Sequence, residues 1–295
     1  MHCASHCSGL PILVLLAWAA GEAPALAREC GDGSVSQGVV RAVLDGRTLA
    51  LADGRIVRLA GINVPGSLKD NADPAKPEAK ARVYLEAQLV GRTVAFATQS
   101  AAIDRYERIR AYVFLKSEDL RAAGLGTAEL GAAGLRADSL GTDGLEASVQ
   151  QGMLALGLAR VAGSVGGRAC AAALWAREQV ARVAGLGLWA DSAYAVRSAE
   201  DPAAVLRLRG ALALVEGKVV SVRESGGTIY VNFGRRWSED FTVTVPKRSE
   251  RAFAAAGMNV RQLERRTVRV RGWVEERGGP WIDVRLPEQI EVVRD

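Results

Sequence analysis

Aromatic and basic side chains interleave between residues 230 and 248 of the 295-residue chain, where Tyr230, Phe233, Trp237 and Phe241 lie beside Arg235, Arg236, Lys247 and Arg248. Rings stack on nucleobases and cationic groups pair with phosphates, so this pattern is one way a strand-rich domain holds single-stranded nucleic acid. Tyr230, Phe233, Arg235, Arg236 and Trp237 are the candidate contacts, and Arg265, Arg266, Arg269 and Arg271 add charge to a later strand. The same alternation also fits a strand burying its rings in a core, and Glu239, Asp240, Glu275 and Glu276 dilute the charge.

Other chemistries are excluded. His2 and His6 are the only histidines, and both fall in the leader described below. A mature chain without histidine cannot run a Ser-His, Cys-His or His-metal mechanism. Cys3 and Cys7 also precede the mature chain, which leaves Cys30 and Cys170. In an oxidising compartment such a pair most simply forms one disulfide, the alternative being two separate buried thiols.

The leader reading rests on the apolar run Leu10 to Ala20, too short to span a bilayer, followed by Ala25-Leu26-Ala27 with small residues at a cleavage site. Residues 1–27 therefore read as a signal peptide, the mature protein as periplasmic or secreted, with no stable membrane span after cleavage. No Lys or Arg precedes the run, which leaves an uncleaved anchor or a misassigned start open. Hydrophobic residues make up 49% and charged residues 24%, a globular composition that excludes a disordered chain. The net charge of +5 permits a polyanionic partner without requiring one.

The elements that must position these residues read as mainly β with helices, an α+β class. Gly38 to Leu51 alternates and breaks at the turn signal Asp45-Gly46; Asp53-Gly54 is a second turn before a strand over Arg55 to Ile62. A polar loop over Gly61 to Pro77 leads into a helix from Pro77, with Glu78 in its first turn, closing at Gly91. Thr93 to Thr98 and Arg110 to Leu115 read as strands, and Val149 to Val161 and Ala169 to Ala184 as helices. Leucine recurs every fifth residue from Leu120 to Leu145 within Ala, Gly, Asp, Thr and Ser, which reads as a tandem expansion in a surface loop over 117–147. Residues 199–212 read as a linker. Residues 213–295 read as three strands, a short helix and two strands, the order of an OB-fold barrel.

An ordered series of motifs within residues 28–198 resembles the staphylococcal nuclease (thermonuclease) family. They are Val43-Leu44-Asp45-Gly46-Arg47-Thr48-Leu49, then Val57-Arg58-Leu59-Ala60-Gly61-Ile62-Asn63-Val64-Pro65, then Pro77-Glu78-Ala79. Asp104-Arg105-Tyr106-Glu107-Arg108, Gly157-Leu158-Ala159-Arg160-Val161 and Gly187-Leu188-Trp189 complete the series. The resemblance implies a nuclease-type OB barrel, followed here by a second OB-like barrel. It also implies phosphodiester cleavage by one calcium ion, two arginines and a glutamate. Calcium and guanidinium groups offset charge on the phosphorus oxygens, and a carboxylate orients or deprotonates water.

Carried over position by position, Arg58 and Arg108 match the two arginines and are the catalytic candidates. The calcium-binding aspartates fall at Arg47 and Asn63, the catalytic glutamate at Gly66, and a family glycine at Glu107. Calcium takes six to eight oxygens, usually with several negative charges. A guanidinium about 5 Å from a dication costs on the order of several kcal/mol. No metal or other cofactor is therefore expected. The expectation is an exported thermonuclease-like protein with a degenerate centre. Arg47, Arg58 and Arg108 would bind phosphates of a single-stranded nucleic acid or another polyanion. Hydrolysis by relocated acids (Asp45, Glu78, Asp104 or Glu107) and a non-enzymatic envelope interaction protein are the alternatives.

Overall fold

A computed structural model describes residue 30 and residues 35–66, 76–115, 148–236 and 238–293. The signal peptide read over 1–27, the leucine-repeat insertion over 117–147 and Trp237 lie outside these residues.

The first unit is a closed barrel in which β1 (Val35–Asp45), β2 (Thr48–Leu51), β3 (Ile56–Leu59), β6 (Ile109–Leu115) and β5 (Thr93–Ile103) pair in that order. All contacts are antiparallel except β3 against β6, which are parallel. In β3 the period of two sends Val57 and Leu59 into the core and leaves Arg58 on the outer face, between Thr48 of β2 and Arg110 of β6. Helix α1 (Pro77–Leu89) has proline in its first turn and buries Ala81, Leu85 and Leu89 on one face, the i, i+4, i+8 spacing of a stripe that packs against a barrel.

Helix α2 (Val149–Ala155) is shorter than the pattern to Val161 suggested. Gly157 adopts φ +66° where any Cβ would strike the Leu186 carbonyl, so the chain breaks there. It then forms β7 (Arg160–Val161), paired with β4 (Ile62–Asn63). Helix α3 (Arg168–Val183) follows, and Cys170 at its start is disulfide-bonded to Cys30, 140 residues earlier.

The stretch read as a linker is structured. After β8 (Arg197–Ser198), helix α4 (Pro202–Leu206) is capped by Asp201, which accepts from the Ala204 N–H at 2.9 Å, and Val205 is buried in the second core. That core lies under β9 (Leu212–Lys218), β10 (Ser221–Ser225), β11 (Thr228–Asn232), β12 (Thr242–Pro246), β13 (Thr267–Arg277) and β14 (Gly279–Asp283), with α5 (Glu250–Ala255) between β12 and β13. The sheet runs β10-β11-β12-β14-β13-β9-β8, with β15 (Ile290–Val292) also on β13. β12 and β14 are parallel, as β3 and β6 are in the first barrel.

The two units meet at a buried ion pair. Arg271 of β13 is 2% exposed; its Nη2 donates to Glu178 Oε2 of α3 at 3.0 Å and its Nη1 to the Val161 carbonyl at 3.2 Å. Glu178 Oε1 accepts from the Val161 N–H at 2.7 Å, and the guanidinium lies 5.5 Å from the Trp175 ring centre.

Candidate phosphate site and sheet cleft

Arg47 sits in the β1–β2 turn. Asp45 fixes that turn by accepting from the Arg47 N–H at 2.8 Å and from Thr48 Oγ1 at 2.9 Å. The Arg47 carbonyl accepts from the Leu59 N–H at 2.8 Å, and its Nη1 reaches the Ile62 carbonyl at 3.4 Å, so the side chain folds towards β4 and does not extend into solvent. Burial, with repulsion from Arg58 and then Arg108, holds the guanidinium down at about 10, against the attraction of Asp45 and Glu78. Burial and Arg108 likewise lower Arg58. The fold thus brings Arg47, Arg58 and Arg108 within electrostatic reach of one another.

Arg108 lies just before β6. Its Nε donates to Asp104 Oδ2 at 2.8 Å, and its Nη2 lies 2.7 Å from the same oxygen. Burial would raise the Asp104 carboxyl, but Arg108 and the N–H groups of Tyr106 and Arg108 outweigh it and hold it at about 2. The turn places Glu107 at φ +62°, a conformation that costs a residue with a Cβ roughly 1–2 kcal/mol. Tyr106, which the sequence offered only inside a motif, is 60% exposed and has Arg105 and Arg108 guanidinium carbons 4.9 and 4.8 Å from its ring centre.

Gly66 ends the strand-loop segment beyond β4. A Cβ built there would clash with Glu78 Oε2 of α1, the movable end of that side chain, and lie 3.1 Å from the Glu78 Cδ. A Cβ on Gly46 would lie 3.1 Å from the Glu78 carbonyl oxygen and 3.2 Å from its Cγ. Two glycines therefore make room for Glu78, and its carboxylate fills the volume a side chain at 66 would need. Sequence spacing could not show this juxtaposition, because 12 residues separate the two positions.

These residues do not fit a calcium ion. A guanidinium at 47 and a neutral amide at 63 replace two acids, and Arg47 Nη1 already occupies the approach to the Ile62 carbonyl. Among the described residues, no group of three or more His, Cys, Asp or Glu side chains is placed to hold a metal.

In the second unit the sheet face carries an open cleft of about 990 Å³. Tyr230 and Arg235 line it, joined by Arg223, Arg277, Asn232 and Trp281. Tyr230 meets Trp281 edge-on, 5.9 Å between centres, and the Arg277 guanidinium lies 5.0 Å from the Trp281 ring centre. Period-two placement of Trp281 with Asp283 in β14 was the signal available for this ring. The structure places Phe233 elsewhere: it is buried on Phe241, 4.9 Å between centres, and offers no ring face to a ligand. Arg236 pairs with Glu239 at 3.1 Å, away from the cleft lining. Two of the later basic residues are also neutralised, since Arg269 bonds Glu216 and Glu291 and Arg271 is spent on the unit interface.

No curated protein matches the chain. Residues 56–191 match the family model described as staphylococcal nuclease homologue. The match starts at β3 and takes in Arg58, Gly66, Glu78 and Arg108. With the closed barrel described above, residues 56–191 form a domain similar to the staphylococcal nuclease family.

Proposed function

We propose that this is a nucleic-acid-binding protein that holds phosphodiesters in the Arg47, Arg58 and Arg108 cluster and has exchanged the calcium centre of its fold for fixed guanidinium charge. The reading rests on one observation above the others: Arg47 is turned inward, where Arg58 and Arg108 repel it. Like charges held together and partly buried are destabilising until an anion joins them, and a planar guanidinium donates a two-pronged hydrogen bond to phosphate. The cleft beside Tyr230 and Arg235 supplies stacking and further charge for the same strand. Export to the periplasm or medium is part of this proposal and agrees with the Cys30–Cys170 disulfide.

Titration with labelled oligothymidylate at several salt concentrations tests it: tight binding that weakens linearly on a log-log plot as salt rises is expected. Absence of binding at low salt ends it and favours the envelope interaction protein.

A second reading, hydrolysis by a relocated acid, is favoured by the Glu78 carboxylate in the space at Gly66. Cleavage of denatured DNA with calcium, magnesium, manganese or chelator separates the two, and turnover lost in Glu78→Gln would establish hydrolysis.

A further inference from the structure

Several surface cations of the second unit are spent on acids: Lys247 and Arg261 bond Glu224, Arg277 bonds Asp283, and Arg236 pairs with Glu239. Among the described residues, Arg223 and Arg235 in the cleft lining have no such pair, nor do the exposed Lys218, Arg265 and Arg266. The last three are gathered at one mouth of the cleft. Lys218 ends β9 two residues before Val220 of the lining, and Arg265 follows Glu264 of the lining. The backbone ties the two segments together: the Arg265 N–H donates to the Val219 carbonyl at 2.9 Å and the Val219 N–H to the Arg266 carbonyl at 3.0 Å. Glu264 is the acid of the lining, and its carboxylate accepts from the Val222 N–H at 3.4 Å. One acid thus stands against five cations. Arg265 also holds φ +67°, which a glycine adopts freely and a residue with a Cβ does not. Main-chain groups make that turn, so its shape does not call for arginine. A strained backbone under an exposed, unpaired guanidinium points to a use for the side chain.

We propose that Lys218, Arg265 and Arg266 form a phosphate-binding corner that continues the cleft, so that a single-stranded nucleic acid stacks a base on Tyr230 and carries its backbone past Val220 onto the corner. This deepens the cleft part of the reading above and does not depend on the Arg47 cluster. The sheet sets the route. Arg223 lies opposite Tyr230 and Ser221 opposite Asn232, so β10 leads from the ring towards Val220 and the corner. Arg223 and Lys218 are five residues apart, at most about 17 Å at strand spacing, a span that a short oligonucleotide covers. Guanidinium and ammonium groups pair with phosphates whatever the sequence, and the ring accepts any base, so the site should read single-strandedness and charge and not sequence.

The test titrates the full chain with a labelled oligothymidylate of about 12 nucleotides, within the site sizes such folds cover, over a range of salt. Arg265→Gly combined with Arg266→Ala should flatten the log-log salt slope by about 1.4, two contacts at about 0.7 each. Measured from about 1 M salt, where that contribution vanishes, the loss is about 25-fold in affinity at about 0.1 M. Arg265→Gly alone should keep a urea midpoint no lower than wild type, because it relieves the backbone; an earlier midpoint would make Arg265 a structural residue and overturn its assignment. Tyr230→Ala should weaken oligothymidylate about fivefold or more and leave inorganic polyphosphate unaffected. Polyphosphate bound as tightly as oligothymidylate, with Tyr230→Ala changing neither, would overturn the nucleic-acid assignment. An unchanged slope and affinity in the Arg265, Arg266 variant, with Arg47→Ala and Arg58→Ala still weakening binding, would overturn the corner and leave the arginine cluster standing. The reverse pattern would establish the corner and remove the cluster, and absence of binding at low salt would end both.

Discussion

Replacing Arg271 by methionine should be among the most destabilising single changes in the protein. Arg271 is 2% exposed, and its guanidinium supplies donors to both carboxylate oxygens of Glu178 and to the Val161 carbonyl. Among the described residues, Arg271→Met leaves Glu178, 1% exposed, with the Val161 N–H at 2.7 Å as a donor and strips the Val161 carbonyl of a partner. Breaking one side of a buried pair typically costs about 3–5 kcal/mol, because the surviving charge stays desolvated. Replacing both partners by apolar groups removes that penalty, so Arg271→Met with Glu178→Leu should recover most of the loss. Urea unfolding of the two single variants and the double variant gives the coupling energy directly. The wild type should unfold in one transition, since the pair ties β13 of the second unit to α3 and β7 of the first. A cost below about 1 kcal/mol for Arg271→Met, or a double variant no more stable than the singles, would refute the reasoning that the interface is dry and mutually dependent.

Further outcomes follow from the site. Gly66→Glu, which restores the family's acid, should change stability by no more than about 0.5 kcal/mol, because residue 66 is exposed and the Glu78 carboxylate it meets can swing aside, as read by denaturant midpoint. Glu107→Gly should stabilise by about 1 kcal/mol by relieving its φ of +62°, measured the same way. Asp104 is held at about 2, below its unfolded value of about 3.9, so it contributes stability that is complete above about pH 4 and lost as pH falls through about 2. The stability gap between wild type and Asp104→Asn should therefore close over that acid window. Reducing the Cys30–Cys170 bond, which spans 140 residues, should lower stability by about 2–5 kcal/mol, seen as an earlier urea midpoint in reductant.

Much of the architecture was legible because it depends on local signals. Asp45-Gly46 fixed a turn, Pro77 with Glu78 fixed a helix start, and period-two runs marked the strands. The motif series singled out Arg47, Arg58 and Arg108 as a group. What escaped were relations between elements. Nothing in the local pattern of Thr267 to Val274 distinguishes Arg269, held by two glutamates, and Arg271, buried against α3, from arginines lining an open groove. Phe233 and Tyr230 share a strand-rich, aromatic neighbourhood, yet one faces the core and the other the cleft. The helix read through Val161 ended early because the Leu186 carbonyl, 29 residues further on, leaves room only for glycine at 157. Glu78 in the space at Gly66 is the same kind of fact, a long-range fit that a one-dimensional pattern does not carry.

The central claim is that Arg47 has taken over the role of metal charge in a phosphate site. The most direct measurement is the salt dependence of oligothymidylate binding by wild type and Arg47→Ala. If Arg47 contacts phosphate, the variant should bind more weakly and its log-log salt slope should be shallower by about one released counterion, or about 0.7 for a single strand. An unchanged affinity and slope would contradict the account and return Arg47 to the role of a turn residue.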